Sequence, residues 1–137
     1  MLDPKIDSTT RSIASLSFTV TADCDELAGA RHRLTDWLRG QSAPEALVSD
    51  IVLAVYEALA NAMEHAYSGE PGLVALTVTL REDDAVVSVT DHGRWRDPNR
   101  DLGITRGHGL VMIQAMTSRF DLTHTDGRTT LTAYFPR

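Results

Sequence analysis

Residues 43–67 constrain this chain more than any other stretch. Leu47, Val48, Ile51, Val52, Ala54, Val55, Ala58, Leu59, Ala62, Met63 and Ala66 make it apolar almost all round at helical spacing. The spacing predicts one long, largely buried helix. Ser42-Ala-Pro-Glu45 reads as a capping box with a proline in the first turn, and Ser68-Gly69 with Pro71 closes the helix near Tyr67. Glu57, Asn61 and His65 interrupt the apolar surface at i, i+4 and i+8. Steps of four advance only about 40° around a helix, so the three form one polar stripe.

Polar groups on such a helix are costly to bury without partners. Two arrangements satisfy them. One is a solvated edge, continued by Asp50 and Glu64. The other is the floor of a site, with the glutamate as general base, the asparagine amide oxygen on a hard cation and the histidine orienting its neighbours.

The other elements follow from periodicity. Residues 12–20 place Leu16, Phe18 and Val20 on one side at period two, a strand. Residues 23–39 carry Leu27, Ala30, Leu34, Trp37 and Leu38 at helical spacing, with Gly40 as the stop. Two strand-like runs, 73–80 and 85–90, flank the polar Arg81-Glu-Asp-Asp84 as a hairpin. A short helix from Leu110 to Ser118 follows a long loop over 91–106. Strands over 119–125 and 128–136 turn at Asp126-Gly127. Helices do not alternate with every strand. The expected fold is therefore α+β: a two-layer sandwich with a mixed, mainly antiparallel sheet covered on one face by helices. Residues 1–11 read as a loose polar tail and 12–137 as one domain.

At 42% hydrophobic and 23% charged, the 137 residues can build a core with an ordinary polar surface. The net charge of −6 opposes direct binding to nucleic acid. The N-terminal stretch has no apolar signal core, and Glu57 breaks the longest apolar run, so neither a signal peptide nor a membrane span is expected. The single cysteine, Cys24, allows no internal disulfide and suits a reducing cytoplasm as a small core filler.

Two further motifs carry chemistry. Asp91-His-Gly93 ends a predicted strand: the carboxylate can accept from a ligand amine, and the glycine lets a flat ring approach the backbone. The same residues also suit a plain turn. Gly107-His-Gly109-Leu110 opens a helix, where free N–H groups and the helix dipole make an anion cradle without a P-loop lysine. Between them lie Arg94, Arg96, Arg100 and Arg106 against Asp97 and Asp101, a basic loop suited either to covering phosphates or to solvent.

Glu57-Ala-Leu-Ala-Asn61-Ala-Met-Glu-His65-Ala, then Asp91-x-Gly93, then Gly107-x-Gly109-Leu110, resemble in order the N, G1 and G2 boxes of the GHKL, or Bergerat-fold, ATP-binding superfamily. The element order resembles the bacterial anti-sigma-factor serine kinases. The resemblance implies that Glu57 is the general base. It implies that Asn61 coordinates Mg²⁺ bridging the phosphates of ATP, with His65 on a polar position of the same box. Asp91 would read the adenine amino group with Gly93 beside the ring, and Thr129 would lie near the adenine. Gly107, Gly109 and Leu110 would lie by the phosphates, with Arg106 at the end of the covering loop. Trp95 stands where the fuller G1 box has a second glycine.

The implied function is a cytoplasmic protein serine/threonine kinase acting in trans on an anti-sigma-factor antagonist and regulating a sigma factor, as a homodimer. The alternative it implies is an ATP-gated sigma-factor clamp with little or no kinase activity. A chain of 137 residues leaves no room for the separate acceptor-histidine domain of a sensor kinase.

Overall fold

The computed structural model describes residues 12–21, 23–66, 72–92 and 107–137; residues 12, 65, 66 and 107–110 are described by their backbone alone. The expected tail and most of the long loop, with Gly93, Trp95 and Arg106, lie outside the described residues.

Among the described residues, five strands form one sheet: β1 (Ser12–Thr21), β2 (Leu73–Arg81), β3 (Asp84–Asp91), β4 (Arg119–Thr125) and β5 (Arg128–Pro136), in the order β1-β2-β3-β5-β4. Each of the four pairings is antiparallel. Period two separates the faces. Leu16, Phe18 and Val20 of β1, Val74, Leu76 and Val78 of β2, Val87 and Val89 of β3, and Leu131, Ala133 and Phe135 of β5 join the core. The opposite face pairs hydroxyls: Ser15 with Thr79 at 3.3 Å, Ser17 with Thr77 at 3.0 Å and Thr90 with Thr130 at 3.1 Å.

Three helices, α1 (Cys24–Gly40), α2 (Glu45–Asn61) and α3 (Gly107–Met116), pack on the apolar face. Ile51, Val55 and Leu59 of α2 are buried in the same cluster as Leu34 and Leu38 of α1 and Ile113 of α3. Each such side chain contributes about 1.5–3 kcal/mol of burial. By length and composition the stretch Glu45–Glu64 would cross a membrane, yet half of it is buried inside the protein. It is the central helix of the core.

Several local expectations are corrected. The helix α1 runs through Gly40, and Ser42 takes the left-handed conformation with φ 59°. The Ala43 N–H then donates to Leu38 O at 3.1 Å, which turns the chain so that Ala43 is buried. Ser42 is therefore not a cap for α2, whose N-cap is Pro44 without a side-chain hydrogen bond. Glu45 instead accepts from Arg39 at 3.0 Å, both side chains exposed. The cap that does form is Asp23, which accepts from the Glu26 N–H at 2.9 Å ahead of an acidic first turn. Cys24 is exposed, not a core filler, because it opens α1 on its solvent side.

Arg81 is also unlike a turn residue. It is only 2% exposed, and its Nε and Nη2 donate to the two Asp84 carboxylate oxygens at 2.5 and 2.6 Å. Its guanidinium lies 5.7 Å from the Tyr134 ring centre, and its carbonyl accepts from Arg137 at 2.7 Å. A buried guanidinium requires such a bidentate partner.

Candidate functional site

Glu57 and Asn61 lie one α-helical turn apart on α2, both half-buried. The α-helix ends at Asn61, and Ala62–Ala66 continue it as a π-helix. This corrects the uninterrupted α-helix expected to about Tyr67. A π-turn is wider than an α-turn, so the backbone at His65 does not continue the stripe at α-helical phase. Short π segments of this kind concentrate at functional sites because they re-aim the residues around them.

Asn61 carries the sharpest chemical signal. Its Oδ1 is buried, and among the described residues no hydrogen-bond donor meets it. A buried acceptor left unmade costs about 1–3 kcal/mol, so such an atom calls for a partner such as a water, an ion or a ligand. An amide oxygen suits a hard divalent cation such as Mg²⁺, which takes oxygen ligands and retains waters. A single asparagine is a partial shell: among the described residues no cluster of three or more His, Cys, Asp or Glu could hold a metal by itself. Asn61 can thus supply one oxygen ligand to a cation whose remaining ligands come from elsewhere.

Asp91 is the last residue of β3 and is 8% exposed. It pairs with Val74 on β2 and with Thr129 on β5. Following Val87 and Val89 at period two, it faces the helices, as does Thr129 two residues before Leu131. Thr129 in turn pairs with His124 of β4, whose Nδ1 is 3.0 Å from Thr129 Oγ1. Val20, Val74, Asp91, Thr129 and His124 therefore form one rung across all five strands, on the helix-covered face. His124 went unnoticed in the sequence, although the two-residue turn at Asp126-Gly127 already pairs it with Thr129.

Gly107, Gly109 and Leu110 lie in the first turns of α3. That end has no acidic residue in its first turn, and backbone N–H groups at a helix start, which have no partner within the helix, suit an anion. The helix α3 packs on α2 and on β4 and β5, and α2 packs on β3 and β5. The carriers of Glu57, Asn61, Asp91, Thr129 and the two glycines are thus joined through α2 and β5. Gly93 and Arg106 lie outside the described residues.

The profile of the histidine kinase-like ATPase domain matches residues 20–135. The chain belongs to this family. It is 30% identical over 105 residues to the serine-protein kinases RsbW of Bacillus cereus and Bacillus thuringiensis subsp. konkukian. Each match covers 66% of this chain and 66% of the relative, so just under two thirds of each Bacillus protein is spanned. Among solved structures, the RsbU and RsbW domains of Rv1364c from Mycobacterium tuberculosis superpose with a TM-score of 0.71 at 28% identity. That match covers 91% of this chain and 33% of the mycobacterial one. The SiaB–SiaC complex from Pseudomonas aeruginosa gives a TM-score of 0.70 at 17% identity over 88% of both chains, a likeness of fold. The histidine kinase-like ATPase family, of the GHKL type, is the one the three sequence boxes pointed to.

Proposed function

We propose that this domain binds Mg-ATP and transfers its γ-phosphoryl group to a serine or threonine of an anti-sigma-factor antagonist, and so regulates a sigma factor. The observation that carries the reading is the buried Asn61 Oδ1, one turn beyond Glu57 and without a donor among the described residues. Family membership and the Bacillus relatives named as serine-protein kinases support it.

In this reading Asn61 is the protein's ligand to Mg²⁺, which supplies charge neutralisation at the phosphates. Phosphoryl transfer otherwise depends mainly on positioning and electrostatic stabilisation. The start of α3, with Gly107, Gly109 and Leu110, offers backbone N–H groups to the phosphates, and Arg106 adds positive charge. Glu57 takes the proton from the acceptor hydroxyl as the new P–O bond forms and the bond from the γ-phosphorus to the leaving ADP oxygen breaks. Asp91 accepts from the adenine amino group, with Gly93 and Thr129 beside the base. His65 adjusts the polar groups around Asn61. The domain acts in trans in the cytoplasm as a homodimer.

Incubation with γ-labelled ATP, Mg²⁺ and a candidate antagonist tests this. Label on a serine or threonine of the antagonist is expected. Trp95, in place of the second glycine of the G1 box, favours one other reading: an ATP-gated sigma-factor clamp. Nucleotide-dependent association without label would support the clamp and reject the kinase.

A further inference from the structure

His124 is joined to the rung that holds Asp91, yet nothing in the phosphoryl-transfer scheme uses it. Its Nδ1 lies 3.0 Å from Thr129 Oγ1, and Thr129 faces Asp91 across the β3–β5 pairing. We propose that His124 is a positioning residue for base recognition: it fixes the direction of the Thr129 hydroxyl, so that the pocket selects a purine with a 6-amino group over one with a 6-keto group. The inference rests on the reading that Asp91 and Thr129 adjoin the base.

A threonine hydroxyl has one hydrogen and two lone pairs, and rotates to suit its partners. Left alone, Thr129 could donate to a keto oxygen as readily as it accepts from an amine. A ring nitrogen at hydrogen-bond distance removes that freedom when it carries no proton of its own. With the His124 proton on Nε2, Nδ1 accepts the Thr129 hydrogen, and the lone pairs of Oγ1 remain for the ligand. An ionised Asp91 is also acceptor-only. Two acceptors one strand apart match the two hydrogens of one exocyclic amine. A keto oxygen placed there would meet lone pairs on both sides and lose its own hydrogen bond. A site whose polar groups are left unpaired by the wrong ligand discriminates strongly.

The geometry is held by the backbone. The two-residue turn at Asp126-Gly127, with φ 55° and 74°, fixes the register that sets His124 against Thr129.

The test compares ATP and GTP affinities by calorimetry for the full chain and its variants. His124→Phe keeps a ring without the nitrogen; His124→Asn puts Oδ1 where Nδ1 was. His124→Phe is expected to reduce the ATP-over-GTP preference about three- to tenfold, the worth of one net hydrogen bond. His124→Asn should restore it, and His124→Phe should have no further effect in a Thr129→Ala background. The melting temperature without nucleotide should stay unchanged, since His124 is exposed. An unchanged ATP/GTP ratio in His124→Phe, failure of Asn to restore it, or an equal loss in the Thr129→Ala background overturns the inference. If the unaltered chain binds neither nucleotide, the reading of the pocket falls and this inference falls with it. Those outcomes are separate, because the first three require a wild-type chain that binds ATP.

Discussion

Asp91 and Thr129 stand directly opposite each other where β3 pairs with β5. Residues so paired have Cβ atoms about 4.5–5.5 Å apart. Their separation is set by the hydrogen-bond ladder, not by a loop. A one-residue slip of register would turn Thr129 to the hydroxyl face and leave Asp91 facing the helices alone.

Asp91→Asn should weaken adenine nucleotides far more than inorganic triphosphate. One charge-assisted hydrogen bond is worth on the order of 1.5–3 kcal/mol, roughly ten- to a hundredfold in affinity. Competition binding with both ligands measures the two effects side by side. Equal weakening of both would remove Asp91 from the base.

Glu57→Gln should keep ATP binding and lower transfer to the antagonist by about two to four orders of magnitude, the usual contribution of a general base. Single-turnover assays with saturating ATP separate chemistry from binding. A transfer rate within a few-fold of wild type would mean that another group takes the proton.

Asn61 gives an unusual expectation for stability. Its buried Oδ1 has no donor among the described residues. Replacing it by Ala removes an unsatisfied acceptor worth about 1–3 kcal/mol, which offsets the packing lost. Asn61→Ala should therefore melt close to wild type without nucleotide, while Mg²⁺ no longer tightens ATP. A large drop in melting temperature would show that Asn61 serves the fold rather than a ligand.

The Arg81–Asp84 pair is purely structural in its expected effect. Asp84→Ala leaves a guanidinium that is 2% exposed without its carboxylate, at a cost of about 3 kcal/mol. Arg81→Met/Asp84→Ala together should recover most of it, as measured by urea titration. If the single variant is no less stable than the double, the pair is not coupled.

The strands were legible because period two and turn chemistry speak locally. Leu16, Phe18 and Val20 marked the inner face of β1, and Asp126-Gly127 marked the hairpin whose two residues take φ 55° and 74°. The failures have different causes. Ser42 looked like a cap, but burial of Ala43 bends the chain into a different turn. Arg81 read as part of a polar turn, but Tyr134, from 53 positions away in sequence, lies beside its guanidinium. The polar stripe from Glu57 to Asn61 was correctly phased; the π segment beyond it was not foreseeable, since Ala62-Met-Glu-His65-Ala66 is ordinary helix-forming sequence. The partnership of Asp91 with Thr129 needed the strand order, because β3 and β5 are not consecutive.

The wider coil at Ala62–Ala66 makes chain length a sensitive variable just past Asn61. Removing one residue there would let the segment relax to tighter winding. The residues kept from the segment would then take up α-helical phase about the axis relative to the buried Asn61 amide oxygen. A substitution at the same place is a mild edit by comparison, so this short stretch should tolerate changes of identity far better than changes of number.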